Sequence, residues 1–182
     1  MNIKQITTPF SEKLVRSLKA GNIVELSGNV LVMRDASHKR FYEFLSAGKK
    51  LPISLAGQVI YYVGPTPAPK GRAIGSAGPT TSSRMDKYSP TLILSAGLMG
   101  MIGKGDRSKE VISAMQKGPC VYFAATGGAG ALLSKCITHS EVVCFPELGP
   151  EAVRIFTVNK LPIITAIDCY GKTLFINNKK DF

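Results

Sequence analysis

Runs of apolar residues in this chain alternate with stretches in which apolar positions fall three or four residues apart. The short runs predict buried strands, and the wider spacing predicts amphipathic helices. The strands are expected at residues 59–63, 99–102, 121–124, 142–145 and 153–158. The helices are expected at residues 11–19, 36–47, 85–97, 108–117 and from 130 to about 135. This pattern predicts an α/β fold in a single domain over residues 1–182.

Both ends of the chain are expected to contain antiparallel strands. Residues 23–33 are rich in β-branched side chains and contain Ser27-Gly28-Asn29, which predicts a hairpin. A second hairpin is predicted for residues 163–167 and 173–176, which flank a glycine-containing turn. Residues 72–77 are expected to form a short strand that begins the strand–helix alternation in the middle of the chain.

A loop rich in hydroxyl side chains, Gly78-Pro79-Thr80-Thr81-Ser82-Ser83-Arg84, passes into the helical pattern that begins at Met85. Gly-Pro marks a turn, and Thr and Ser suit a helix N-cap. Backbone N–H groups at a helix entry have no partner inside the helix and attract anions. Thr80, Thr81 and Arg84 are therefore candidates for binding one carboxylate or phosphate. The alternative is a plain capped helix with a solvated arginine, which the loop by itself favours slightly.

Cationic residues also stand at two other strand-to-helix turns. Arg34 and Asp35 end the strand before the next helix, a usual position for a site in α/β folds, and Asp35 is expected to cap that helix. Lys104 lies between two glycines that would let the backbone approach a ligand closely. The turn Thr126-Gly127-Gly128-Ala129-Gly130 could also hold an anion, but close helix–strand packing explains it as well. His38 is expected to be a partly covered helix residue.

Composition and charge limit the classes of function. Hydrophobic residues make up 45% of the chain and charged residues 19%, which is typical of a globular protein. The formal net charge of +11 fits nucleic acid, an acidic partner chain or an anionic substrate. The lysines and arginines are scattered and do not alternate with aromatic residues, so binding of nucleic acid is weakly supported. The sequence offers no apolar stretch of about 20 residues for a membrane span and no signal-peptide core near its start.

The cysteines provide no clustered set of metal ligands. Cys120, Cys136, Cys144 and Cys169 form no C-x-x-C pair, and the chain has 2 histidines. A metal or cluster site held by this chain alone is therefore not expected. Each cysteine is interpreted as a small buried hydrophobe, which is typical of a reducing compartment and predicts a cytoplasmic protein.

Arg34, Thr80, Arg84 and Lys104 each follow a strand, at a turn into a helix or a glycine-rich loop. If these strands are neighbours, their ends meet at one edge, and the three cations could bind a dicarboxylate. Arginine suits this role because its planar fork makes two parallel hydrogen bonds to a carboxylate. No acid/base pair or metal set in this chain completes such a site, so the sequence predicts half of a site.

The motifs occur together in a specific order: Arg34-Asp35-Ala36-Ser37-His38-Lys39, Gly78-Pro79-Thr80-Thr81 with Arg84-Met85-Asp86, Gly103-Lys104-Gly105-Asp106-Arg107-Ser108, and Pro146-Glu147-Leu148-Gly149. With these motifs, most of the chain resembles the β subunit of the two-subunit class I fumarate hydratases. These iron–sulfur hydro-lyases form one family with L-tartrate dehydratase. The resemblance implies a swivelling β/β/α domain with a mixed sheet and flanking helices, mobile against a cluster-bearing domain.

The resemblance also implies a division of roles between two chains. A partner α subunit would hold a [4Fe–4S] cluster through three cysteines, and this chain would bind no cofactor. Arg34 and Arg84, with Thr81, would bind substrate carboxylate, and Lys104 would add charge near the reacting carbon. Thr80 would take part in proton transfer at C3, with an aspartate of the partner. Since an alcohol is a poor base, Thr80 would need nearby cations or a relay.

The expected reaction is the reversible hydration of fumarate to L-malate, carried out by a dimer of αβ heterodimers. L-tartrate dehydration is the alternative, since the two substrates differ by one hydroxyl group. A phosphate- or nucleotide-binding module that uses the turns at 103–105 and 127–130 is an alternative of another class. Glu147 and His38 are interpreted as structural or as supporting the site from behind.

Overall fold

The computed structural model describes residues 2–125 and 129–175 of the chain. Its strands, in chain order, are β1 (Lys4–Thr7), β2 (Ile23–Val32), β3 (Val59–Tyr61), β4 (Gly100–Gly103), β5 (Val121–Ala124), β6 (Ile137–Cys144) and β7 (Val153–Ile167). Its α-helices are α1 (Glu12–Ser17), α2 (Asp35–Ser46), α3 (Ser89–Ala96), α4 (Lys109–Lys117) and α5 (Gly130–Leu133). Turns of 3₁₀ helix lie at Ser82–Met85, Ser134–Cys136 and Pro146–Glu151.

The strands form one mixed, barrel-like sheet. It has 7 strands in the order β1-β2-β3-β4-β5-β7-β6, and β2 also pairs with β7. That extra pairing closes β2, β3, β4, β5 and β7 into a ring. The strands from β1 to β5 pair in parallel, whereas β7 runs antiparallel to β2, β5 and β6. The expected α/β fold with a mixed sheet and flanking helices is therefore confirmed.

Two hydrophobic clusters lie on opposite faces of the sheet. Alternate residues of β2 contribute to each cluster, Val30 and Val32 to one and Leu31 to the other. The first cluster fills the barrel, and α1 adds Val15 to it. The second lies beneath α2, α3 and α4, where Phe41 is fully buried. Strands buried on both faces read as continuous apolar runs, which explains why β3, β4 and β5 were predicted as strands from the sequence.

The predicted hairpin at residues 23–33 is wrong, because β2 is one continuous strand across Ser27-Gly28-Asn29. Gly28 has a positive φ of 106°, at a shift in the register between β2 and β7. A Cβ atom there would overlap the side-chain oxygen of Thr8. The glycine therefore permits a close approach of the chain just after β1, and it does not form a turn. The expected antiparallel pairing within the N-terminal part is wrong too, since β1 and β2 are parallel and the antiparallel partner of β2 is β7.

Two further strand predictions differ from the structure. Residues 72–77 form an irregular segment and no strand. The strands expected at 153–158 and 163–167 are one strand, β7, and only a single bridge between Ile167 and Thr173 represents the predicted terminal hairpin. The hairpin's last residue lies outside the described residues. Strand β7 continues because it pairs with β2 on one side and with β6 and then β5 on the other.

Helix boundaries agree more closely with the sequence. The side chains of Ser11 and Ser108 accept hydrogen bonds from the backbone three residues later and begin α1 and α4. Gly97, with a left-handed φ of 71°, ends α3. The helix expected from Met85 is divided: the 3₁₀ turn Ser82–Met85 precedes α3, and a proline lies in the first turn of α3. Among the described residues, no helix has both the length and the hydropathy needed to cross a bilayer.

Candidate functional site

The carboxyl ends of β2, β3 and β4 meet at one edge of the sheet, because these strands are parallel neighbours. Arg34 follows β2 at this edge, and Lys104 follows β4. Thr80 lies between the ends of β3 and β4 and is hydrogen bonded to Tyr62, just after β3, and to Lys104, just after β4, and Thr81 follows it. We call this edge, with Arg34, Thr80, Thr81, Arg84 and Lys104, the rim.

Backbone hydrogen bonds hold the two threonines against Lys104. The Thr80 N–H donates to the carbonyl oxygen of Tyr62 at 2.7 Å, and the Lys104 N–H donates to the carbonyl oxygen of Thr80 at 3.3 Å. Thr81 and Lys104 form a parallel β-bridge, and Ser82 N–H donates to the Lys104 carbonyl at 2.9 Å. Residues 80–82 therefore pair like a short strand inserted between the ends of β3 and β4. This pairing places Thr80, the residue expected to take part in proton transfer, beside Lys104.

Arg34 is held from several sides. It occupies the N-cap position of α2, where its N–H donates to the Ser37 hydroxyl at 2.9 Å. Its guanidinium packs on the backbone of Gly64, where a Cβ atom would overlap Nη1. Nη2 lies 3.9 Å from a carboxylate oxygen of Glu151, and Nε is buried with no hydrogen-bond partner among the described residues. A buried donor without a partner is unusual, and it marks Arg34 as a residue whose hydrogen bonding is incomplete within the described residues.

Arg84 approaches Arg34 through Asp35, the residue that follows Arg34. The Arg84 Nε donates to Oδ1 of Asp35 at 3.0 Å, and Nη2 lies 2.9 Å from Oδ2 as an ion-pair contact. Asp35 was expected to cap α2, but it is the first residue of that helix, and its carboxylate is turned to Arg84. The side chain of Arg84 remains 49% exposed.

All five candidate site residues thus lie on one edge, linked by direct contacts or backbone pairing. Thr81, Arg84 and Lys104 are exposed, whereas Arg34 and Thr80 are half-buried. The cavities of about 470 and 430 Å³ in the described part of the chain are lined by other residues. The rim is therefore an open face with excess positive charge. Such a face can bind an anion, and a second surface would be needed to exclude water from it.

A buried polar cluster beneath the rim was not predicted from the sequence. The fully buried Arg107 side chain donates from Nε to Asp86 Oδ1 at 2.7 Å and from Nη2 to the Ser89 hydroxyl at 2.8 Å. Its guanidinium also lies over the rings of Tyr62 and Tyr122. Burial acts to lower the Arg107 pKa, but Tyr62 and Asp86 raise it above the ordinary value. Only the spacing Asp86-x₂₀-Arg107 could have suggested the pair, and that spacing is not distinctive.

His38 is fully buried, so its expected partial exposure is wrong. Its Nδ1 lies 2.8 Å from the carbonyl oxygen of Arg34, and its ring packs edge-on against Tyr62 with centroids 5.2 Å apart. Burial lowers its pKa from 6.5 to about 4, so the imidazole is neutral near pH 7. A neutral ring next to a carbonyl carries its proton on Nδ1, and His38 therefore supports the Arg34 backbone from behind.

The proline-containing 3₁₀ turn Pro146–Glu151 contacts the site through Glu151. A carboxylate oxygen of Glu151 accepts from the Ala36 N–H at 2.7 Å, in the first turn of α2. Glu147, which the sequence singled out, pairs instead with Arg40 at 3.4 Å on an exposed part of α2. The residue of this turn that reaches the rim is Glu151, four positions after Glu147.

The cysteines do not form a ligand set in the described residues. Cys120 and Cys169 are buried, whereas Cys136 and Cys144 are only partly buried, which corrects the expectation for these two. Burial raises the Cys120 pKa to about 12, so its thiol stays protonated. Among residues 2–125 and 129–175, no group of three or more His, Cys, Asp and Glu side chains could hold a metal ion. The predicted glycine turn at 126–130 lies partly outside the described residues.

The chain is similar to known proteins over most of its length. The family model described as Fumarase C-terminus matches residues 1–178. Over 153 residues the chain is 39% identical to "Fumarate hydratase class I, anaerobic" of Escherichia coli strain K12, which covers 84% of this chain and 28% of that protein. Over 173 residues it is 38% identical to "Fumarate hydratase class I, aerobic" of Salmonella typhimurium, which covers 93% of this chain and 30% of that protein.

The chain thus spans less than a third of the length of these two fumarate hydratases. A third relative is of similar length to the chain itself. It is the "Putative L(+)-tartrate dehydratase subunit beta" of Methanocaldococcus jannaschii, 36% identical over 177 residues, which make up 94% of this chain and 91% of that protein. Since the family model extends over nearly the whole chain and the described rim carries the expected motif residues on one edge, the chain belongs to the fumarase C-terminus family.

Proposed function

We propose that this chain is the β subunit of a two-subunit hydro-lyase that reversibly hydrates fumarate to L-malate in the cytoplasm. The proposal rests on the rim, where two arginines, a lysine and a threonine lie together on one open edge of a chain of this family. Enclosing a substrate expels water and strengthens the electrostatic interactions within a site. The open rim therefore supports a site completed by a partner chain.

The similarity to a protein named as a subunit beta over 91% of its length supports a separate partner subunit. We propose that this α subunit carries the [4Fe–4S] cluster, because the described residues of this chain do not fit a cluster site. When bound by the partner, such a cluster would supply Lewis-acid chemistry to the substrate. Two such αβ pairs are proposed to associate as a dimer of heterodimers.

The arginines of the rim would bind and orient the dicarboxylate. Arg34 would offer the part of its guanidinium that is exposed, since its side chain is 22% exposed, and Arg84 would offer the part of its fork that does not face Asp35. Thr81, exposed beside Lys104, would add a hydroxyl donor to the same carboxylate. Charge-assisted bonds from fixed donors restrict the rotation of the substrate, which places C3 near Thr80.

The proposed proton transfer takes place at C3 of the substrate. In dehydration the C3 proton is removed, the electrons of the C3–H bond form the C2=C3 double bond, and hydroxide leaves C2; together these give one water. Thr80 is proposed to relay the proton through its hydroxyl to an aspartate of the partner, since its backbone N–H and carbonyl are already used at the rim. Lys104 would stabilise the negative charge that develops near C3, which also makes the Thr80 hydroxyl a better proton relay.

L-tartrate dehydration is a second candidate, because the relative that matches the chain over most of both lengths is named a tartrate dehydratase subunit. The reaction uses the same two steps, loss of a proton and loss of hydroxide from adjacent carbons. The two substrates differ by one hydroxyl, which rim residues or the partner chain could recognise. Measuring the activity of one preparation on each substrate separately, and comparing the two values of kcat/KM, decides between them.

The test is co-expression of this chain with a candidate partner that carries three well-separated cysteines, followed by anaerobic assay of fumarate and L-tartrate. We expect activity only when both chains are present. Arg84→Ala should lower kcat/KM by about 10- to 100-fold, as loss of a hydrogen bond to a charged group does. Arg16→Ala on α1, which removes an exposed arginine paired with Glu12, is the control and should retain activity. Activity of this chain alone, or unchanged kinetics for Arg84→Ala, would reject the proposed site.

A further inference from the structure

The orientation of Arg84 at the rim is set by one neighbouring carboxylate. Asp35 contacts the Nε and Nη2 atoms of Arg84, at 3.0 and 2.9 Å. These two nitrogens form the side edge of the guanidinium fork. The carboxylate is 31% exposed and the arginine 49% exposed, so the ion pair lies at the boundary between core and solvent.

An arginine has a second edge that can bind a carboxylate. Its five N–H donors include one parallel pair at the side, from Nε and Nη2, and another at the end, from Nη1 and Nη2. Asp35 occupies the side edge, which leaves the end edge unused by it. Because the two edges are fixed in one plane, a carboxylate on the side edge also fixes the direction of the end edge.

Asp35 is itself held in place. It is the first residue of α2, between Arg34 at the N-cap and Ala36, whose N–H donates to Glu151 at 2.7 Å. The hydroxyl of Ser37 donates back to the Arg34 carbonyl at 3.0 Å. An acidic residue in the first turn is also favoured by the partial positive charge of the helix end. The first turn of α2 thus carries one arginine of the rim together with the carboxylate that contacts the other.

We propose that Asp35 is a positioning residue, which holds the side edge of Arg84 so that the end edge receives a substrate carboxylate. This inference rests on the proposed function of the rim. Two other roles for Asp35 predict different results. A carboxylate that competes with substrate for Arg84 would weaken binding, and a purely structural ion pair would affect stability alone.

The first experiment uses the 182-residue chain without a partner. Arginine Nε–H signals in ¹⁵N NMR spectra report hydrogen exchange at a single guanidinium. The Arg84 Nε–H should exchange slowly in the wild type and at least about tenfold faster in Asp35→Asn, because an amide oxygen is a weaker acceptor than a carboxylate. Equal exchange in the two proteins would overturn the proposal. The control is Glu43→Gln, which removes an acidic charge from the same helix, in an exposed pair with Lys39 at 3.8 Å.

The second experiment measures kinetics of the enzyme assembled with its partner. Asp35→Asn should raise KM by about tenfold and change kcat by less than about threefold, and the substitution should have no further effect in an Arg84→Ala background. A lower KM in Asp35→Asn would favour competition, and an unchanged KM with lower stability would favour a structural role; either result overturns the proposal. If the wild-type assembly has no hydro-lyase activity, the proposed function fails, and the NMR experiment alone still decides whether Asp35 holds Arg84.

Discussion

Arg107 and Asp86 form a buried ion pair directly beneath the rim, with Nε 2.7 Å from Oδ1. The Arg107 side chain is 0% exposed and that of Asp86 13%. The other oxygen of Asp86 accepts from the Ser108 N–H at 2.7 Å, at the start of α4. Asp86 follows the 3₁₀ turn that contains Arg84, and Arg107 follows the loop that contains Lys104. The pair therefore fixes two parts of the rim relative to each other.

Replacement of Asp86 by Asn should destabilise the fold by about 3 to 5 kcal/mol, because it leaves the buried Arg107 charge without a counter-ion. Urea unfolding followed by circular dichroism measures the free energy of unfolding. Glu12→Gln, which removes the partner of Arg16 in an exposed pair on α1, is the matched control and should cost far less. Equal losses in the two variants would show that Arg107 is not dependent on Asp86.

Replacement of Gly64 by Ala should displace Arg34 without removing it. The new Cβ atom would overlap Nη1 and lie 3.2 Å from Cζ, and the guanidinium can respond only by moving. We expect KM for the dicarboxylate in the assembled enzyme to rise by about tenfold or more, since a shift of about 1 Å in a binding group can have a large effect.

The control for this substitution is the double variant Gly64→Ala with Arg34→Ala. If the alanine acts through the Arg34 side chain, it should add little to the effect of Arg34→Ala, because the group that it displaces is absent. Full additivity of the two substitutions would show that Gly64→Ala disturbs the enzyme by another route.

Local features of the fold were predictable because the residues that determine them are adjacent in sequence. Ser11, Ser108 and Gly97 end or begin helices through contacts within three or four residues. The turn predicted at Gly28 failed because that glycine serves a contact with Thr8, which is distant in sequence. The prediction of two strands in place of β7 was wrong for the same reason. Strand β7 is continuous because β2, β5 and β6 pair along it, and these strands are distant in sequence.

The candidate site, like the fold, could be predicted from the sequence only where local residues determine it. Arg34 and Lys104 could be predicted at one edge because each follows a strand of the parallel part of the sheet, where the carboxyl ends meet. Thr80 and Arg84 were expected to follow a strand at residues 72–77, which the structure does not have. They reach the rim because residues 80–82 pair through the backbone with Tyr62 and Lys104. The partners of the rim residues could not be predicted in this way. Arg84 and Asp35 are 49 positions apart, and Ala36 and Glu151 are 115 positions apart. No local pattern distinguishes these carboxylates from solvated surface residues.

His38 should make the stability of the fold depend on pH between about 4 and 6.5. Burial lowers its pKa in the folded state to about 4, whereas the unfolded chain has the ordinary value of 6.5. Between these values the unfolded chain binds the proton and the folded chain does not, so stability falls as pH falls from 6.5 to 4 and this contribution levels off below 4. A pKa shift of this size corresponds to a total loss of about 3 kcal/mol in the free energy of unfolding.

His38→Gln should flatten the profile of unfolding free energy against pH in this range. His139→Gln, which changes an exposed side chain, is the control and should leave the profile unchanged. If the His38→Gln profile keeps the wild-type slope, the acid sensitivity arises from other groups, and the imidazole of His38 is not held neutral beneath Arg34.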